Sequence, residues 1–161
     1  EFMNWAKLKS AKATDQGGCG SCWAVASSEV LQMHAEIHNP NATRTFSAQE
    51  LVSCVPNPHQ CGGEGGCQGA TVELAYHWTL TQGLAQETET PYQAENGQCK
   101  KKASTSGLVE LSEHEDAGDA TAVGVHRAPE GSPAAAFGMV GFERLAVNGY
   151  AALLHAVVEH G

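Results

Sequence analysis

The sequence predicts an α+β fold: a mostly helical N-terminal module stapled by disulfides, then a C-terminal part built differently. Three observations carry this. All six cysteines (Cys19, Cys22, Cys54, Cys61, Cys67 and Cys99) fall within the first 99 of 161 residues, a crowding expected of a disulfide framework. Apolar residues recur at helical spacing in three stretches and a capping box opens a fourth, short helix, whereas only 108–111 and 140–147 read as short strands. The length suits about one domain.

In 22–37, Trp23, Ala26, Val30, Met33 and Ile37 form one helical stripe, with Ser28, Glu29, Gln32 and Glu36 on another face. A helix with one buried side is predicted. Val25 and Leu31 lie off that stripe, so the helix is expected to be central, with protein around it. Ser47 with Glu50 three residues on is a capping box, each side chain bonding the other's backbone N–H, and opens a short second helix. Residues 54–69 hold three cysteines, five glycines and two prolines, loop chemistry that needs covalent staples for order. Helical spacing returns over 70–82: Val72, Ala75, Tyr76 and Leu80 fall together, Glu73 and His77 opposite, and Gly83 is the C′ stop. Residues 112–136 combine the acids Glu113, Glu115, Asp116 and Asp119 with small residues, Pro129 and Pro133, which predicts an insertion or flexible loop. Over 150–160 a last amphipathic helix carries Leu153, Leu154, Val157 and Val158 on one side.

Nine Lys and Arg face 18 Asp and Glu, a formal charge of −9, and six of the nine cations sit in two clusters, Lys7, Lys9, Lys12 and Lys100, Lys101, Lys102. So little positive field argues against nucleic acid as a partner. No run approaches the roughly 18 to 20 apolar residues of a membrane helix, which argues against a membrane. Residues 1–12 lack the apolar stretch of a secretory signal. The chain is therefore expected to be cytosolic or to have lost a leader. Asn41 in Asn41-Ala42-Thr43 is an acceptor for N-glycosylation, in keeping with a secretory or lysosomal route.

The sharpest motif is Gln16-Gly17-Gly18-Cys19-Gly20-Ser21-Cys22-Trp23-Ala24, a glycine-rich approach ending in a cysteine at the first turn of the central helix. Unpaired N–H groups and the helix dipole favour a thiolate there. The Cys22 amide can point at a substrate oxyanion, and the Gln16 carboxamide is a suitable second donor. Three alternatives compete with an activated thiol. A thioredoxin-like Cys-x-x-Cys pair wants a buried strand just before it, where 12–16 is polar. A zinc site lacks a second knuckle, because Cys54, Cys61, Cys67 and Cys99 are unsuitably spaced. A helix start that merely supplies two disulfide partners leaves Gln16 and Trp23 unexplained.

Cys19-Gly20-Ser21-Cys22-Trp23 with Gln16 ahead of it closely resembles the active-site signature of papain-like cysteine proteases, the papain and cathepsin family. The resemblance continues through Ser47-Ala48-Gln49-Glu50-Leu51-Val52-Ser53-Cys54, Gly66-Cys67-Gln68-Gly69, Thr90-Pro91-Tyr92 and Cys99, and covers nearly all of 4–107. It implies a papain-like fold with a complete, mostly helical left domain over 1–107, the insertion over 108–139, and the right β-domain only begun over 140–161. It implies Cys22 as nucleophile, Gln16 as oxyanion-hole side chain, Trp23 as packing neighbour of the nucleophile, and Gly20 in the cleft wall. Gly69, Ala70, Thr71 and Val72 fall at its substrate-binding positions; Ala70 stands where the family usually has a second glycine, and Thr71 and Val72 line the pocket two residues before the scissile bond. It further implies disulfides Cys19 to Cys67 and Cys54 to Cys99. Cys61 is left over, in a loop longer than papain's.

Such chemistry needs a histidine, oriented by a third polar group. The family's spacing from Cys22 reaches His155 and His160, yet His155 lies opposite the apolar stripe of its helix, one turn before Glu159, an arrangement typical of a solvated face. His34 and His38 lie too far along the central helix, His77 shares a polar face with Glu73, and His59, His114 and His126 fall in loops. His34 and His38 lack a third ligand for a metal. The expected function is thus a cysteine endopeptidase present as a fragment lacking the catalytic His and Asn, with no cofactor or metal. Peptide or protein substrate, a propeptide or a cystatin-like inhibitor would be its partners, in a lysosome or vacuole or in secretion. The alternatives are a non-enzymatic peptide-binding or inhibitor-binding module, and disulfide exchange, which requires a Cys19 to Cys22 bridge.

Overall fold

The computed structural model describes residues 4–11, 13–41, 44–100 and 124–160. Three helices build the core: α1 (Cys22–His38), α2 (Ala48–Cys54) and α3 (Val72–Gln82). Trp23, Ala24 and Leu31 of α1 meet Leu51 and Val52 of α2, Ala75 and Trp78 of α3, and Phe46, Val55 and Leu84 from the connections. Gly83 ends α3 at φ 70, and its amide closes on Thr79 O, the left-handed conformation for which glycine lacks a steric penalty.

α1 is central as expected, but its buried face differs. Trp23, Ala24, Val25, Ser27, Ser28 and Leu31 are buried, whereas Ala26 is exposed and Val30, Met33 and Ile37 are half-buried. The two serines enter the interior because each hydroxyl returns to its own helix: Ser27 Oγ donates to Trp23 O at 2.7 Å and Ser28 Oγ to Val25 O at 2.9 Å. A satisfied small polar side chain permits close helix packing. On α3, likewise, Trp78 and Thr79 are buried while Val72 is exposed, and Thr79 Oγ1 donates to Ala75 O.

Ser47 caps α2, its Oγ accepting from Glu50 N at 2.9 Å. The reciprocal half of the capping box is replaced by a longer-range exchange. Ser47 N donates to Ala85 O, and Glu50 Oε2 accepts from Ala85 N at 2.8 Å. A local cap thereby ties α2 to the chain leaving α3.

The C-terminal part corrects the expected loop over 112–136. Residues 124–127 form β1 (Gly124–Arg127), which pairs antiparallel with β2 (Gly141–Arg144), so the strand expected over 140–147 is shorter and already partnered. The boundary drawn between 108–139 and 140–161 falls inside this hairpin, and His126 stands on a strand rather than in a loop. The cause is a cross-strand pair: His126 faces Phe142 in register and stacks on it at 4.5 Å. Between the strands a 3-10 turn, Pro133–Phe137, is capped by Ser132 and buries Ala134 completely. Ser132 Oγ also donates to Leu80 O, and Phe137 packs edge-on to Phe46 at 4.9 Å. Two prolines and small residues thus make a tight plug against α3. The strand expected over 108–111 lies outside the described residues. α4 (Tyr150–Glu159) follows with no buried residue.

Candidate active site

Cys22 is the first residue of α1, exposed and outside any disulfide. No acid occupies the first turn of α1, so no side chain of that turn offsets the positive end of the helix dipole.

The chain just before Cys22 is held by three connections. Cys19 is bridged to Cys67 and is 2% exposed. Gly20 N donates to Cys67 O at 2.9 Å, and a Cβ on Gly20 would sit 2.6 Å from that same oxygen. Only glycine lets the two backbones approach so closely. Third, the buried Ser21 hydroxyl meets the Tyr92 hydroxyl, which donates to Gln16 O at 2.9 Å. Tyr92 is in turn placed by Glu87, which accepts from its amide at 2.7 Å; burial raises the Glu87 carboxyl above the usual range, and that bond opposes the rise.

Gln16, Gly20 and Trp23 therefore gather about the Cys19–Cys67 bridge. Gln16 Nε2 donates to Cys19 O at 3.0 Å, and the buried Trp23 ring reaches Gly66 O through Nε1 at 3.1 Å. Gly69, at φ 96, packs its backbone against Gly62, and Ala70 O lies against Gly62 as well. Thr71 is the N-cap of α3, and Val72 opens that helix 39% exposed. The second bridge, Cys54–Cys99, fastens the end of α2. The bridges are those the resemblance implies; because Cys19 is joined to Cys67, the Cys19 to Cys22 pair required for disulfide exchange is absent. Cys61 is free and exposed, its loop shaped by Asn57, whose side chain bonds Cys61 N, Cys61 O and Gly63 O.

Sequence reasoning gives Tyr92 no role, although Thr90-Pro91-Tyr92 is the signal that could find it. It also misses Asn96, whose Oδ1 accepts from Cys67 N at 2.8 Å. The histidines lie elsewhere. His155 Nε2 stands 3.1 Å from Glu159 Oε1 on the exposed face of α4, as expected of a solvated i, i+4 pair. His34, His38, His126 and His160 line a groove at the C-terminal half of α1. Asn41 is exposed, and residues 42 and 43 of its sequon lie outside the described residues. Among the described residues no cluster of His, Cys, Asp and Glu could hold a metal ion, and no helix is long and apolar enough to cross a membrane.

Known proteins resemble part of this chain. Cysteine protease XCP2 of Arabidopsis thaliana is 31% identical over 116 residues, covering 71% of this chain and 31% of the relative. A cathepsin L-like proteinase of Fasciola hepatica is 38% identical over 86 residues, 53% of this chain and 25% of the relative. The solved structure of digestive procathepsin L 3 from the Tenebrio molitor larval midgut shares the fold at a TM-score of 0.52 and 23% identity, covering 61% of this chain and 31% of that one. The chain thus spans less than a third of the length of each of these proteins. The family model described as papain family cysteine protease matches residues 1–130, and with most of its length so matched the chain belongs to the papain family of cysteine proteases.

Proposed function

We propose that this chain is the thiol-bearing part of a cysteine endopeptidase, with Cys22 as nucleophile and Gln16 as oxyanion donor. The carrying observation is the free, exposed Cys22 at the start of α1, directly after a segment pinned by Cys19–Cys67 and Tyr92. A nucleophile fixed on a rigid helix end holds its geometry through the reaction.

The Cys22 thiolate would add to the scissile carbonyl carbon, forming a C–S bond and an oxyanion that accepts from the Cys22 amide and the Gln16 carboxamide. Expelling the amine breaks the C–N bond and needs a proton from an imidazolium. Water then hydrolyses the thioester, returning its proton through the same imidazole. Among the described residues His155 is engaged with Glu159 and His160 lies at the far groove, so on this proposal that imidazole comes from outside this chain. Gln16 would also have to turn from Cys19 O toward the oxyanion. Gly20, Trp23, Gly69, Ala70, Thr71 and Val72 would form one wall of the substrate cleft, the wall of a left domain over 1–107. Peptide substrates, a propeptide and a cystatin-like inhibitor would bind it, in a lysosome, vacuole or secretion. The relatives' names support this: one is a cathepsin L-like proteinase, and one solved neighbour is a procathepsin.

Amidolysis of a fluorogenic peptide amide tests it, by this chain and by the product of the coding sequence read past Gly161. The chain alone is expected to be inactive and the extended product active, with activity lost in Cys22→Ser. Steady amidolysis by the chain alone would overturn its dependence on an outside imidazole. Extended-product activity that survives Cys22→Ser would overturn the nucleophile.

A further inference from the structure

Half of the chain's eight histidines and two of its three arginines line one groove. About 1050 Å³ in volume, it runs between the C-terminal half of α1, the β1–β2 hairpin and α4. Its basic side chains are the two cations Arg44 and Arg127 and the imidazoles of His34, His38, His126 and His160, while Glu143 is the one carboxylate among the described lining residues. In a chain with 18 acids and a formal charge of −9, this is a local concentration of basic side chains. The floor between those groups is apolar, formed by Leu31, Ala35, Met139, Phe142 and Val157.

Arg44 is held ready for an anion. Its guanidinium lies over the rings of Phe46 and Phe137, 5.2 and 5.0 Å from their centroids, and its Nε is shielded from water without an acceptor. Ring faces hold the cation in place without neutralising it, and a shielded donor gains from an arriving carboxylate. Imidazoles as a class charge between about pH 7 and 5. The groups facing them are His34 and His38 from α1, Arg44 before α2, Tyr76 from α3, His126 and Arg127 from β1, Glu143 from β2 and His160 after α4, with His77 on α3 acting on His126 from behind the groove. Tyr76 brings no charge, since burial raises its phenol above the usual value. Among the described lining residues Glu143 is the carboxylate that opposes positive charge.

We propose that this groove docks an acidic peptide segment bearing apolar side chains, and holds it more tightly in mild acid. Carboxylates would meet Arg44, Arg127 and the imidazoles, while apolar side chains would cover Leu31 and Phe142. A sulfated glycan offers charge without the apolar surface. Neither Cys22 nor Gln16 lines the groove, so the proposal does not rest on the endopeptidase assignment.

The test is fluorescence anisotropy of the full chain with a fluorescein-labelled peptide of Asp and Leu in equal number. Two controls put Lys for Asp and Ser for Leu. Binding is expected to tighten about tenfold from about pH 7.5 to about pH 5.5, and to weaken about tenfold with Ser for Leu. Arg44→Gln is expected to weaken it about threefold to tenfold. Because Arg44 also packs on two rings, Arg127→Gln on the exposed strand is the second variant, with a loss of about threefold. Equal binding of the Lys peptide, or no loss in both variants, overturns the proposal. So does a heparin oligosaccharide that binds as tightly as the Asp-Leu peptide, or self-association of the chain at about pH 5.5 that excludes the peptide.

Discussion

Residues 16–100 and 124–160 are held by different means. In the first stretch, two disulfides close sequence separations of 48 and 45 residues, and Leu51 and Ala75 are fully buried where three helices meet. Buried polar groups there are tied across long distances in sequence, as Gln49 is to Gln93 N and Glu95 O. The second stretch holds no cysteine, pairs two four-residue strands and ends in a helix with no buried residue. Its anchors among the described residues are single side-chain contacts, such as Ser132 on Leu80 O, Phe137 on Phe46, Tyr76 against Phe142, and Trp5 Nε1 donating to Val157 O. Rigidity is concentrated where the thiol sits, and the sparsely anchored part is the one expected to open locally.

Removing a staple should have the largest effect. The 48-residue separation between Cys19 and Cys67 corresponds to about 4 kcal/mol of loop-closure entropy. The double variant Cys19→Ser, Cys67→Ser is expected to lose most of that in urea unfolding, and to detach Gly20 from Cys67 O. If stability falls by less than about 1 kcal/mol, the contrast between a stapled and an unstapled region fails.

Truncating the core comes next. Leu51, at 0% exposure, belongs to the core cluster that residues of all three helices form, and Leu51→Ala is expected to cost about 3 kcal/mol through lost transfer energy and a residual cavity. The shift in the urea midpoint measures it. A small shift would mean that the helices collapse into the space, so that packing is less specific than the buried faces imply.

The same contrast explains what is legible in the sequence. Helix positions, the Gly83 stop and the thiol at the start of α1 follow from local rules: spacing, capping, the left-handed glycine. Disulfide partners 48 and 45 residues apart, and the tie from Tyr92 to Ser21 and Gln16 across 71 and 76 residues, are contacts no spacing rule reveals; the family motif alone points to the residues concerned. Buried Ser28 reads as polar surface because hydropathy does not see a hydroxyl satisfied by its own helix. Much of the 124–144 hairpin reads as loop because its strands are four residues long, glycine-led and held by a His–Phe stack, with no alternation long enough to register.

Acid should act on the seam between the two regions. The His77 imidazole on α3 is depressed by burial and, secondarily, by His126 on β1. The unfolded chain therefore binds that proton more readily, and stability rises with pH across the window. It is fully present above the unfolded value near 6.5 and is lost as pH falls toward the folded one. Between about pH 7.5 and 5.5 the wild-type Tm is expected to fall, and His77→Gln to flatten that fall. Equal slopes would show that the seam does not feel this histidine. Glu36 lies in another window: backbone bonds from Lys9 and Ser10 hold its carboxyl below the usual range, so its contribution fades only under stronger acid.

The smallest effect belongs to α4. Leu154 is 48% exposed, and Tyr150, Leu153, Val157 and Val158 on the same helix are 41 to 73% exposed. A side chain that folding leaves half in water loses little when truncated, and a helix interior favours alanine. Leu154→Ala is therefore expected to change stability by less than about 0.5 kcal/mol, where the same substitution at Leu51 costs several times more. The pair of midpoints reads the contrast directly, since both exchanges remove the same atoms and differ only in what surrounds them. A Leu154 loss approaching that of Leu51 would show that α4 is covered in solution, and the division between a packed and an open region would have to be redrawn around whatever covers it.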